Sequence, residues 1–404
     1  MKGEGAKGTG FVSLCTIFVK TIIGSGILAL PFVVLKLGYV LAPLLILVSG
    51  AVTVYSLVIL TVCAGRTVDK EKASFMAVMN AVFPGYGFIP EIFLALKCLG
   101  VAVGFLVLIG KESANLSTHF IGTSKTASGG WVLGLLGEKY FWVVAGVCTI
   151  GPVTFFRKID SLKYTSFAGL GCVGYLLCVL LCDLLLEGKT AQEVPVFSAS
   201  PADLLKCLPL VIFAYGCQQS IFPLYAEAQD SSPVGMAQAT GVSVFVSSAV
   251  YSAVGVVGCM RYGPATSDNI LENLPIEKTQ FMLARVFYVL LILLSFPLQV
   301  FPLRQSLARL LPPFTESERV QRIVLTTGIL VGTCLVALVV PSLAMAQKIV
   351  GAVATPVLGF IIPAAMYLKL ATPKGGSPPY GPVLLLLFGA AVVVLSLSSL
   401  ALKH

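Results

Sequence analysis

Thr21-Ile22-Ile23-Gly24-Ser25-Gly26-Ile27-Leu28-Ala29-Leu30-Pro31 lies inside a long apolar run and yet carries two glycines around a serine. A second apolar run is interrupted in the same manner at Phe213-Ala214-Tyr215-Gly216-Cys217-Gln218-Gln219-Ser220. A helix broken at such a place leaves backbone N–H and C=O groups without partners, which in hydrocarbon is costly unless they line a polar cavity or hold a ligand. Paired breaks in corresponding segments therefore point to a ligand site at mid-membrane. The half-helix expected to resume near Ile27, with Pro31 one turn in, would present free N–H groups and a positive dipole end, a setting that suits a carboxylate. The two glutamine side chains of the second break need polar partners there.

The surrounding chain has the composition of a membrane protein. Of its 404 residues 57% are hydrophobic and only 11% charged, against roughly 25% charged in soluble domains, and the mean hydropathy is +0.95. Apolar runs recur along nearly the whole length, and no polar stretch is long enough for a separate soluble domain. The expected organisation is a short cytosolic N-terminus over residues 1–10 and a single transmembrane domain over 11–402. The apolar run after Gly10 is not a brief core ending in a small-residue cleavage site, so the first span is expected to be retained.

Eleven spans are expected: Phe11–Leu35, Tyr39–Ala64, Phe88–Gly110, Tyr140–Phe156, Ser161–Leu186, Leu204–Tyr225, Ala237–Met260, Phe281–Leu303, Ile323–Val340, Lys348–Leu368 and Pro382–Leu402. With the N-terminus inside, inner loops hold Lys2, Lys7, Arg66, Lys70, Lys72, Arg157, Lys158, Lys163, Arg309, Arg319, Arg322, Lys369 and Lys374. Outer loops hold fewer: Lys36, Lys125, Lys139, Lys189, Lys206, Arg261, Lys278, Lys348 and Lys403. The bias favours a cytosolic N-terminus and an extracellular or lumenal C-terminus. A sequon, Asn115-Leu116-Ser117, falls on the outer side close to the membrane. Phe75, Met76, Val78, Met79, Val82 and Phe83 recur at helical spacing and predict a short helix packed on the inner ends of neighbouring spans.

Several chemistries are excluded. The net charge of +9 is scattered through loops rather than gathered in one patch, so no nucleic-acid partner is expected. Eleven cysteines and two histidines form no C-x-x-C pair and no ligand cluster, so the thiols read as small buried hydrophobes, and neither a metal nor a cofactor is expected. Zinc-protease, P-loop and serine–histidine signatures are lacking, which leaves no enzyme and no ATP-driven pump. Charges within or near spans are Lys20, Lys97, Arg285, Arg304, Glu91 and Asp183, a costly and usually functional set. Glu91, Asp183 and Arg304 lie within about two turns of a span end and can snorkel. Lys20 stands one turn before the first break, where an ammonium either sits beside unpaired carbonyls in place of a coupling cation or snorkels to the cytosolic face.

At these residues the chain resembles the amino acid/auxin permease family. Lys20 to Pro31 is similar to that family's first-helix signature, and Phe213 to Gln219 followed by Pro223-Leu224-Tyr225-Ala226-Glu227 to its sixth-helix motif. Leu96-Lys97-Cys98-Leu99-Gly100-Val101-Ala102 with Leu108-Ile109-Gly110 resembles the third helix, and Ser295-Phe296-Pro297-Leu298-Gln299-Val300-Phe301-Pro302-Leu303-Arg304 the eighth. The resemblance implies an all-α polytopic membrane protein with a LeuT-type fold: two inverted five-helix repeats, discontinuous helices 1 and 6, and an eleventh helix. It further implies that a substrate carboxylate meets Gly24, Ser25, Gly26 and Ile27, that its amino group meets carbonyls of Phe213, Ala214, Tyr215 and Gly216, and that Tyr215, Gln218, Gln219, Leu99 and Gln299 select its side chain.

Two departures from the family pattern bear on coupling. Lys20 stands where sodium-coupled members carry asparagine, and a fixed ammonium bridging to Ser295 would leave transport proton-coupled or uncoupled rather than sodium-driven. Gly110-Lys111 replaces the usual Gly-Asp. The expectation is a secondary transporter of neutral amino acids working by alternating access, in the plasma membrane or a vacuolar or other endomembrane, with membrane lipid and protons as its other partners. No acidic residue is expected at the breaks, which disfavours cationic substrates. The alternatives are an amino acid sensor of the same fold and a carrier of another small organic acid.

Overall fold

The computed structural model describes residues 9–122, 134–155, 162–190, 194–198, 200–313, 315–372 and 377–401. Most of the expected N-terminal segment lies outside this set, with Lys2, Lys7, Lys125, Arg157, Lys158, Lys374 and Lys403 of the topological charge count and the loop between Phe156 and Ser161. Every regular element among the described residues is helical. The helices are α1 (Phe11–Ile22), α2 (Leu30–Thr67), α3 (Phe75–Val82), α4 (Phe88–Gly122), α5 (Lys139–Thr154), α6 (Leu162–Glu187) and α7 (Pro201–Ala214). After these come α8 (Ile221–Glu227), α9 (Pro233–Tyr262), α10 (Thr279–Leu310), α11 (Glu318–Val339), α12 (Leu343–Ile349), α13 (Ile362–Ala371) and α14 (Tyr380–Ala401).

Nine helical stretches among the described residues are long and apolar enough to cross a membrane. One of them, Ser25–Thr67, holds two spans, because α2 reverses at Gly38, whose φ of 84° only glycine adopts readily. A Cβ there would also strike the carbonyls of Pro195 and Val196. The extended segment 194–198 is stitched to this reversal, with Val40 N–H donating to Val196 O at 3.0 Å and Ser198 N–H to Leu37 O at 3.0 Å. Adding the short α5 completes the eleven expected spans. Span 1 is α1 plus the first arm of α2, span 6 is α7 plus α8, and span 10 runs from α12 to α13 through two π-helical segments, Val350–Ala354 and Val357–Ile361.

The packing carries the inverted repeat. Span 1 packs on span 5, and span 6 on span 10; span 5 on span 8, and span 10 on span 3; span 3 on span 4, and span 8 on span 9. Adding five to each member of a pair, with the count returning to one after ten, gives another observed pair, as a repeat of five helices requires. α2 with α9, and span 3 with span 8, make the most extensive contacts. The predicted short helix is α3, capped by Ser74 Oγ accepting from Ala77 N–H at 3.2 Å. Its Phe75, Val78, Met79 and Val82 are buried against α2, α4 and α13.

Three expectations need correction. Glu91, Asp183 and Arg304 do not snorkel: all three are buried. Glu91 pairs with Arg309 at 2.8 Å, Asp183 with Arg261 at 2.6 Å, and Arg304 donates to Thr154 O at 2.8 Å. Span 3 does not end at Gly110, since α4 continues to Gly122 and takes the sequon into its last turns rather than a loop. The charges that look like a loop, Lys111 and Glu112, are instead paired with Glu272 and Arg285, both at 2.6 Å. The helix after the first break begins at Leu30, preceded by a 3₁₀ turn over Ser25–Ala29, so Pro31 lies within its first turn, where a missing N–H costs nothing.

Candidate functional site

Both predicted breaks are present, side by side. α1 ends at Ile22, Ile23 leaves helical geometry with ψ 92°, and Gly24 follows at φ −124° and ψ −144°. α7 ends at Ala214, and the chain passes through Tyr215, Gly216 and Cys217 to a 3₁₀ turn, Gln218–Ser220, before α8. A Cβ on Gly26 would lie 2.7 Å from Ala214 Cα, so this glycine is the contact between the two broken helices.

The orphan carbonyls are claimed by side chains from other spans. The Tyr251 hydroxyl of α9 lies 2.6 Å from Ile22 O and 2.9 Å from Ala214 O and so ties the two half-helix ends together. The Tyr288 hydroxyl donates to Gly24 O at 3.0 Å, and Gln347 Nε2 to Ser25 O at 2.9 Å. At the second break, Gly216 N–H donates to Phe213 O at 2.9 Å, Cys217 N–H to Tyr215 O at 2.8 Å, and Lys97 Nζ to Gly216 O at 2.7 Å. The carbonyls of residues 213–216 are thus all engaged within the protein.

A cavity of about 610 Å³ reaches the breaks, within the range of ligand sites. Among the sequence-derived candidates, Gly24, Gln219, Gln299, Lys20 and Ser295 line it. Lys20 does not run out to the membrane edge; its Nζ donates to Ser295 Oγ at 3.2 Å, which in turn donates to Leu291 O at 2.8 Å. The other candidates lie behind this wall. Ser25, Gly26, Ile27, Ala214 and Tyr215 are buried, with the Tyr215 hydroxyl 2.6 Å from Ser248 Oγ. Gln218 is buried against Gly359, while Phe213 and Gly216 are half-buried behind it. Leu99 turns to a separate apolar groove shared with Leu303 and Leu307. Sequence reasoning gives no role to Lys97, Tyr251, Tyr288 or Gln347. A lone cation in mid-span is a visible signal for Lys97, whereas polar side chains on distant spans carry no local signature of the carbonyls they reach.

The cavity opens toward the end of the bundle where α1 begins. Glu71, Ser74, Glu227 and Arg309 stand at this mouth. There the chain approaching α1 is bridged to the end of α8, Thr9 N–H donating to Glu227 O at 2.7 Å and Gln229 N–H to Thr9 O at 3.0 Å. The opposite end is shut. Arg285 of α10 pairs with the fully buried Glu112 of α4 and donates to Leu274 O at 2.8 Å, and Asp183 holds Arg261 with Lys278 3.7 Å away. One end open and the other sealed by breakable pairs is one half of an alternating-access cycle.

Residues 7–401 match the family described as transmembrane amino acid transporter protein. The chain is 28% identical over 378 residues to vacuolar amino acid transporter 5 of Schizosaccharomyces pombe, covering 91% of this chain and 87% of that protein. It is 25% identical to sodium-coupled neutral amino acid transporter 7 of Xenopus laevis, covering 91% and 82%. Among solved structures, MhsT in complex with L-phenylalanine superposes with a TM-score of 0.62 at 12% identity, covering 96% of this chain and 98% of that one. That likeness is one of fold.

Proposed function

The chain belongs to the transmembrane amino acid transporter family, and we propose that it carries neutral amino acids across an endomembrane by alternating access around the breaks at Gly24 and Gly216. The observation that carries this reading is the cavity that meets both broken helices, open at one end and closed at the other by buried ion pairs. Neutral substrates fit its floor, because the acidic side chains lining it, Glu71 and Glu227, lie at the mouth, with Glu227 at the far end of α8 from the break. A substrate ammonium near the breaks would meet no carboxylate, and a second cationic group would be buried unpaired.

In this reading the substrate carboxylate lies against Gly24 within reach of the Lys20 charge. The fixed Lys20 ammonium occupies the place of a coupling cation between spans 1 and 8, so the cycle is proton-coupled or uncoupled. The relatives' names include both vacuolar and sodium-coupled transporters; Lys20 favours the former for this chain, N-terminus toward the cytosol. Uptake of a panel of labelled amino acids into proteoliposomes tests the substrate class. Neutral amino acids are expected to enter and to compete with one another, and preferential uptake of lysine or arginine would refute the assignment.

A further inference from the structure

Lys97 of α4 is 1% exposed and faces the second break, where its Nζ donates to Gly216 O at 2.7 Å, to Gln218 Oε1 at 3.4 Å and to Gln219 Oε1. These three partners are neutral. An ammonium has three N–H bonds to donate and no lone pair to accept with, so every atom that faces it must be an acceptor. The orientation of a glutamine amide is ordinarily ambiguous, and here the cation decides it. Gln219 must turn its oxygen to Lys97, which leaves its NH₂ on the other side. Gln219 lines the cavity, and its nitrogen has no hydrogen-bond partner among the described residues and is not among the polar atoms sealed from solvent. Gln218 differs: its Nε2 is sealed and unpartnered, and it lies against Gly359.

We propose that Lys97 is a positioning residue for specificity: it holds Gln219 with its amide NH₂ toward the substrate, so that this wall of the site is a hydrogen-bond donor. The inference rests on the reading of the cavity as a neutral amino acid site. Gly216 keeps room for this approach, since a Cβ there would come 3.0 Å from Phe213 O and 3.1 Å from Lys97 Cε. A substrate side chain that offers an oxygen acceptor gains a bond at Gln219, whereas an apolar side chain of the same shape strips water from the NH₂ and returns nothing. One such bond is worth about five- to tenfold in affinity.

The test is competition kinetics in proteoliposomes with two near-isosteric pairs, asparagine against leucine and threonine against valine. The wild type should show a KM lower by about five- to tenfold for the polar member of each pair. Gln219→Leu should bring each KM ratio to about one. Lys97→Met should do the same, and the double variant should be no worse than either single one, because both act through one amide. Gln219→Glu keeps the bond to Lys97 but presents only acceptors, which can still accept from threonine or asparagine, so its test is an acceptor-only pair, O-methylserine against norvaline: the wild type should favour O-methylserine and this variant should not, while remaining folded; it carries the test if Lys97→Met does not accumulate. A uniform fall in Vmax for Lys97→Met with the KM ratios intact, or a Gln219→Glu protein that still prefers O-methylserine to norvaline, would overturn the proposal. Absence of any amino acid uptake by the wild type would overturn the transport reading itself, and is thereby distinguished from these outcomes.

Discussion

Glu112→Gln should open the sealed end of the bundle. Glu112 Oε2 lies 2.6 Å from Arg285 Nη1, its Oε1 is 3.4 Å from Asn269 Nδ2, and the carboxylate is fully buried. It therefore joins α4 to α10 and to the connection between α9 and α10. The glutamine keeps the shape but removes the charge, and Arg285, whose side chain is 5% exposed and whose Nε already lacks a partner, becomes a buried cation without a counter-charge. Breaking one member of such a pair costs about 3–5 kcal/mol. In the alternative state, open at this end, both groups are hydrated and the penalty is absent, so the equilibrium should move toward that state by on the order of 10² to 10⁴. Leu274, 1% exposed and bonded through its carbonyl to Arg285, is a reporter. A membrane-impermeant maleimide should label Leu274→Cys far faster in the Glu112→Gln background. Adding Arg285→Met removes the stranded charge and should return labelling toward the original rate, because replacing both members of a buried pair is close to neutral. Labelling unchanged by Glu112→Gln, or equally fast in the double variant, would refute the role of this pair as the seal.

The two glycines of the first break should behave differently. Gly26→Ala drives a methyl to 2.7 Å from Ala214 Cα, and overpacking of about 1–3 kcal/mol should lower the melting temperature in detergent and abolish transport. Gly24→Ala meets nothing within 4 Å and faces the cavity, so it should change stability by no more than about 0.5 kcal/mol and raise KM; equal thermal losses at both positions would contradict this. Tyr251→Phe strips the shared hydroxyl from Ile22 O and Ala214 O, at a cost of about 1–3 kcal/mol. A thermal shift assay showing no destabilisation would mean that those half-helix ends are held by something else.

The broken helices are legible because their signal is local: Gly24-Ser25-Gly26 and Gly216 interrupt apolar runs with residues that a buried helix has no reason to carry. The span count is legible for the same reason, even the tight reversal at Gly38, which separates two apolar runs with a single glycine. Span ends are harder. Lys111-Glu112 reads as loop because a charge in hydrocarbon looks prohibitive, and only Arg285 and Glu272, more than 150 residues away, make their burial tolerable. The Gly110-Lys111 departure thereby acquires a physical account, the ion pair of Lys111 with Glu272 at the closed end. Lys97 is noticeable as a cation in mid-span, but its partners lie at Gly216 and Gln219 in the break of another span. Which of two adjacent glutamines meets the cavity depends on the phase of a 3₁₀ turn, which composition does not disclose.

The most direct test of the coupling assignment is uptake of a transported neutral amino acid into proteoliposomes with sodium replaced by choline, for the wild type, Lys20→Ala and Lys20→Arg. Lys20 Nζ already bridges spans 1 and 8 through Ser295 Oγ at 3.2 Å, so sodium gains no differential affinity between the two access states and cannot drive the cycle. Wild-type uptake should be the same in choline as in sodium, Lys20→Ala should lose it, and Lys20→Arg should keep a part because the charge survives in a bulkier form. Wild-type uptake that rises steeply with sodium, or a fully active Lys20→Ala protein, would contradict the claim that a fixed ammonium replaces the coupling cation.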